Sequence, residues 1–175
     1  MGELPLGILS GNPKDEPLHY GEIFSVWGSS MAAKGAISCY GVYLNHAGDH
    51  DLKEIINEYI DQAKSEIKEL DRVLVDNGIT PAPDMAEKPS VKLEDIPVGA
   101  RFADQEIAAA LSVDIAGGLV ACSAAMSTCI REDIAAMYAK FHLEKVVLAG
   151  KILRMQKEKA WLIPPPLQIK RPENE

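Results

Sequence analysis

The sequence predicts an all-α protein, a bundle of four long helices. Three observations carry that expectation. Only 6% of the 175 residues are aromatic, and Ala, Leu, Ile and Val dominate, which suits close helix packing better than a β-sandwich. Two long stretches are almost free of charge. Lys34 is the one formal charge between Glu22 and Asp49, and Asp114 is the one between Glu106 and Arg131. Two further stretches alternate charged and apolar positions, as amphipathic helices do.

Residues 1–17 are rich in Gly, Pro and polar groups and read as an arm before a bundle spanning 18–162. The first helix is expected from about Leu18 to Asn45. Ala47-Gly48-Asp49 then makes a tight turn, with Asp49 as the N-cap of a second helix that Gly78 stops. Residues 79–101 hold Pro81, Pro83, Pro89 and Pro97 and no helical period. A connection that long needs a reason, and running the length of a bundle supplies one. The third helix starts after Phe102, with Asp104 and Glu106 in its first turn, and runs to about Ile130. The fourth restarts near Glu132 and Asp133 and continues to about Trp161. Pro164-Pro165-Pro166 then opens a Pro-rich tail over 163–175.

The second helix offers an apolar stripe of Leu52, Ile56, Tyr59, Ala63, Leu70 and Val73, with Glu66 on the same stripe. The fourth offers Ile134, Tyr138, Phe141, Leu148, Ile152 and Met155, interrupted by Lys145. The first and third helices are long enough to suggest membrane spans. Their Gly, Ser and Ala content and the charge in the middle of each argue against it. Helices this apolar are buried on most sides, in part by a second subunit, so a homodimer through helices 1 and 3 is expected.

Height along the bundle suggests a topology. If the long connection returns the chain, the order is up-down-down-up, the one-crossover arrangement of ferritin-like folds. Lys34, Glu66, Asp114 and Lys145 then all lie roughly 17–24 Å from one end. An isolated buried charge costs several kcal/mol, so charges brought to one level should pair. The expected pairs are Lys34 with Asp114 and Glu66 with Lys145, a buried charge layer.

Such a bundle raises the question of a dimetal site, which needs a Glu from each of two helices and a Glu-x-x-His pair from each of the others. Tyr43, Ala47 and Ala139 stand three residues before His46, His50 and His142. Only His19 follows a glutamate at that spacing, Glu16, and that pair lies at the start of the chain. No metal or other cofactor is therefore expected. A non-standard site for iron, manganese or zinc would draw on His142, Glu66 and Glu69. His46, Asp49, His50 and Asp51 gather at the first turn and read as capping and solvated groups. There is no phosphate-binding Gly-rich loop and no Gly-x-Ser-x-Gly elbow. The net charge of −8 argues against a nucleic-acid partner. Cys39, Cys122 and Cys129 lie in apolar helical stretches and read as reduced core thiols. The N-terminus lacks the basic start and apolar run of a signal peptide. Both point to the cytoplasm.

Five strings are more specific: GEIFSVWGSSMAAKGAISCY, LNHAGDHDLK, DIPVGARFADQEIAA, GLVACSAAMSTCIREDIAAMYAKFH and EKAWLIPPP. They resemble an uncharacterised family of spore-forming bacteria with ferritin-like four-helix folds, whose members are commonly labelled spore-coat-like proteins. The resemblance runs from about Gly21 to Pro166. It implies the fold and, through the label, the spore coat and its proteins as location and partners. It implies no activity. Metal storage or oxidation, which the ferritin-like fold would suggest, meets a departure at the Glu-x-x-His positions. Three functions compete: a non-catalytic structural or interaction protein, a metal binder or oxidase with non-standard ligands, and a small-molecule binder with a cavity near Trp27, Tyr138 and the charge layer.

Overall fold

The computed structural model describes residues 16–168, so most of the expected N-terminal arm and the end of the C-terminal tail lie outside the described residues. Within them are four long helices and no strand: α1 (Tyr20–His46), α2 (His50–Asp76), α3 (Asp104–Thr128) and α4 (Glu132–Glu158). The helix ends fall within three residues of those expected from the sequence.

Each end is set by identifiable chemistry. His19 caps α1 by accepting from the Gly21 N–H through Nδ1, and Glu22 reaches back to the His19 N–H. Asp49 caps α2 through the Leu52 N–H at 3.0 Å. Gly78, at φ 73°, takes the left-handed conformation that closes α2. Helix α4 stops at Glu158, short of the expected Trp161 and before the proline run. Ala160 turns left-handed at φ 56°, and the N–H groups of Trp161 and Leu162 return to the Gln156 carbonyl.

Hydrogen bonds between the helix ends show the topology. At one end, Asp104 at the start of α3 accepts from the Gly48 and Asp49 N–H groups of the α1–α2 turn. There too, Lys159 after α4 meets Asp49. At the other end, the buried Glu22 carboxylate of α1 accepts the Ile130 and Arg131 N–H groups between α3 and α4. Arg131 binds the Asn77 side chain just past α2. The order is therefore up-down-down-up. The crossover climbs alongside α1: Lys34, Ser38 and Asn45 donate to the carbonyls of Ala82, Ala86 and Pro89 in turn. It contains two short 3-10 turns, Leu93–Asp95 and Val98–Ala100, and delivers Phe102 to His46.

The core is divided into two clusters. One gathers Tyr40, Leu52, Ile56, Leu111, Ile115 and Leu148 with their neighbours towards the turn between α1 and α2. The other gathers Val26, Leu70, Leu74, Ile134, Tyr138 and Phe141 towards the turn between α3 and α4. All six apolar positions expected on α4 are buried. On α2, Tyr59 and Val73 are half-buried, while Ile55, Ile60 and Leu74 join the core. A polar layer separates the two clusters.

Candidate functional site: the polar layer and its cavity

Helices α1 and α2 form one antiparallel pair and α3 and α4 another. Between the pairs lies a cavity of about 470 Å³ lined by all four helices. Small residues make its α1 and α3 walls: Ala32, Ala33, Gly35 and Ala36 face Gly117, Gly118 and Ala121. Ala32, Cys39, Asp114, Gly117 and Ala121 are exposed, so the mouth opens between α1 and α3. The inner wall carries Tyr59, Tyr138 and Phe141 together with Glu66 and Lys145.

Glu66 and Lys145 meet across the α2–α4 contact as an ion pair, with side chains only 8% and 13% exposed. The Gln62 amide donates to the same Glu66 oxygen at 2.9 Å. The Lys145 stem passes over Gly118, where an added Cβ would come within 3.0 Å of it. That glycine is present because a side chain from α4 takes its space.

The expected pair of Lys34 with Asp114 does not form. Lys34 is buried, but its ammonium lies 2.8 Å from Asp71 of α2 and 3.3 Å from Asp84 of the crossover, and it donates to the Ala82 carbonyl at 2.6 Å. Ser30, one turn earlier, donates to Asp71 at 2.5 Å, and Ser38, one turn later, reaches Ala86. Ser30, Lys34 and Ser38 therefore form one i, i+4 row turned towards α2 and the crossover, whereas α3 lies around the helix from it. Burial acts to lower the Lys34 pKa, but the bonds to Asp71 and Asp84 outweigh it and hold the value above the usual lysine range. Asp114 was expected to be buried and is exposed; its partner is the Tyr40 hydroxyl, which donates to Oδ2 at 2.5 Å. Asp71 and Tyr40 are the residues that height alone missed. Ser30 and Ser38, spaced four residues either side of Lys34, were the signal in the sequence.

Burial comes first among the causes that keep the cavity phenols protonated. Tyr59 is pushed up to about 12 by burial and then by the charges of Asp114 and Glu66. Tyr138 is also pushed up to about 12 by burial, against a hydrogen bond with Ser29 at 3.0 Å. Tyr40 goes higher still, from burial and its bond to Asp114. Cys122 lines the cavity, and burial pushes its thiol up, so it is not an activated nucleophile. Cys39 is exposed at the mouth rather than a core thiol. Trp27 packs against the cluster nearer the α3–α4 turn and does not line the cavity.

The residues named for a non-standard metal site do not converge. His142 is half-buried, Glu69 pairs with Lys140 on the outside, and Glu66 is taken by Lys145. Among the described residues, the one group with three ligand atoms close together is His50, Asp51 and Glu54, all exposed on the first turn of α2. His46 and Asp49 from the same turn are engaged by the Phe102 N–H and by Lys159.

The wider family matches this architecture. The chain is 47% identical over 166 residues to the uncharacterized protein YvdQ of Bacillus subtilis (strain 168), covering 95% of this chain and 98% of that one. Its fold matches the crystal structure of a protein described as a putative spore coat protein from Bacillus halodurans, at 48% identity and a TM-score of 0.89, covering 91% of this chain and all of that one. The family model described as a protein of unknown function, DUF3231, matches residues 6–173. The chain therefore belongs to the DUF3231 family.

Proposed function

We propose that this protein is a non-catalytic structural subunit of the spore coat that assembles with a second copy of itself through α1 and α3. The observation that carries the reading is the exposure of α3. Its most apolar eighteen-residue stretch is only 28% buried, and Val113 and Val120 are each 70% exposed. On α1, Phe24, Met31 and Ala32 are exposed as well. An apolar surface of this extent on a water-facing helix marks an interaction site.

A second copy is the occupant that fits. The α1–α3 face carries two exposed charges, Glu106 in the first turn of α3 and Asp114 at its middle, while most of the net charge of −8 resides elsewhere. Two such faces can meet about a two-fold axis without massed like charges opposing each other. The glycines add to the case. An added Cβ at Gly28, Gly35 or Gly117 would meet nothing within 4 Å, yet glycine inside a helix costs about 1 kcal/mol relative to alanine. No contact within the chain requires them: Gly28 leaves room for a neighbouring helix to come close, and Gly35 and Gly117 line the cavity. A lipid bilayer fits less well. Helix α3 is long enough to cross one, but Asp114 lies mid-helix, Asp104 is bonded to the α1–α2 turn, and the Thr128 carbonyl contacts His19. The location in the spore coat is supported by the description of the B. halodurans relative.

Sedimentation velocity of the purified chain across micromolar concentrations tests the assembly. A dimer is expected. Val113→Glu with Val120→Glu should convert it to a monomer with unchanged helical circular dichroism, because two carboxylates would be placed in an otherwise apolar contact. A wild-type chain that stays monomeric throughout, or one that floats with phospholipid vesicles, would overturn the reading.

A further inference from the structure

We propose that the cavity between the four helices binds a small organic cation, a protonated or quaternary amine carrying a compact apolar body. Its polar groups set the sign. Two carboxylates line it, Glu66 and Asp114, and one cation, Lys145. Lys34, the other buried lysine nearby, is engaged by Asp71 and Asp84 and does not line the space. Lys145 offsets Glu66, which leaves one negative charge in excess, at Asp114. The structure gives Asp114 a single neutral hydrogen-bond partner, Tyr40. An ammonium group at the mouth would complete that charge balance. Burial is the main cause that keeps the Tyr59 phenol protonated, and the charges of Asp114 and Glu66 add to it, so both carboxylates act on the same region of the cavity.

The remaining wall suits the apolar body. Its volume falls within the roughly 300–1,000 Å³ of small-molecule sites. Tyr59, Tyr138 and Phe141 supply aromatic surface, and an aromatic face attracts a cation that has shed water. Gly35 and Gly117 leave open space where any larger residue would intrude. An anion would meet the Asp114 carboxylate, with Lys145 already taken by Glu66. A bare metal ion would meet the Lys145 ammonium, with Glu66 already engaged.

The proposal stands apart from self-association, since a partner laid over α1 and α3 would cover the mouth without filling the interior. The test therefore uses both the wild-type chain and the Val113→Glu, Val120→Glu variant. Each is titrated at neutral pH with phenethylamine, phenethyl alcohol and 3-phenylpropionate, which match in size and differ in charge, and read by amide chemical shifts. Phenethylamine is expected to bind about tenfold or more tighter than the other two, with shifts centred on Gly35, Gly117 and Ala121. Asp114→Asn should remove that preference and leave the alcohol unaffected. Gly117→Leu, directed into open space, should abolish binding of all three while the helical spectrum persists. Equal affinity for amine and alcohol, preference for the carboxylate, shifts centred elsewhere, or no binding to either form of the protein would overturn the proposal. Loss of dimers with the cation preference intact would count against self-association alone.

Discussion

At the level of single residues, the fold rests on a few charges whose burial is compensated locally. Glu66 and Lys145 are the clearest case, because neither has an alternative charged partner among the ion pairs of the described residues. Removing one partner from a buried pair strands the other, at a cost of about 3–5 kcal/mol, whereas replacing both with apolar groups can be close to neutral. Lys145→Met should therefore destabilise strongly in urea unfolding, and so should Glu66→Leu, while the double variant should recover most of the loss. Strict additivity of the two changes would show that the pair contributes no coupling. Lys145 also lies on Gly118, so Gly118→Ala should disturb the pair even though alanine is the better helix former.

At the level of elements, the crossover is the segment whose placement is least obvious from its own composition. Nearly all of it is exposed, and it has little apolar burial beyond Ala82 to hold it. Polar contacts from α1 hold it instead, with Lys34 foremost. Lys34→Met should release the segment from Pro81 to Pro89, seen as faster limited proteolysis there, with a smaller effect on global unfolding. An Asp71→Leu change added to it should show a coupling of about 1–3 kcal/mol. Unchanged cleavage in Lys34→Met would mean that the crossover is held by other contacts.

The helices were legible for definite reasons. Gly78, Asp49 and the acidic first turns mark their ends, and the stripe from Ile134 to Met155 marks the buried face of α4. The length of the 79–101 connection pointed to the crossover. The partner of Lys34 was not legible from rise per residue, which gives the level of a side chain and not its direction. Turning each helix by about 100° per residue separates the Lys34 row from the α3-facing row of Ala32, Ala36 and Cys39. The cavity was illegible for a related reason. It exists because small residues on α1 and α3 fail to fill a space, and sequence patterns record what packs more readily than what is left open.

At the level of the whole molecule, the two ends of the bundle are fastened by carboxylates and its middle by neutral phenols, so stability should respond to pH on both sides. At one end, Arg131 holds Asp133 below the usual carboxylate range through a two-point contact. At the other, burial acts to raise Asp49, but the Lys159 bond and the Leu52 N–H outweigh it and leave Asp49 low. A carboxylate whose folded pKa lies below its unfolded value adds stability that is complete above about pH 4 and is lost as pH falls through the folded value. The tyrosines carry the opposite sign. Tyr59 and Tyr138 are pushed up to about 12 in the folded chain, against about 10 when unfolded. The unfolded chain therefore loses those protons first, and stability should decline between about pH 10 and pH 12. Urea midpoints measured from pH 3 to pH 11.5 should form a plateau with both flanks falling. Tyr59→Phe with Tyr138→Phe should make the alkaline flank shallower, with Tyr40 still contributing to it, and leave the acid one unchanged, because only the first depends on keeping the cavity wall uncharged. An alkaline flank unchanged in the double variant would assign it instead to Tyr40 and Lys34, whose folded pKa values are also raised and whose contributions would be lost in the same direction.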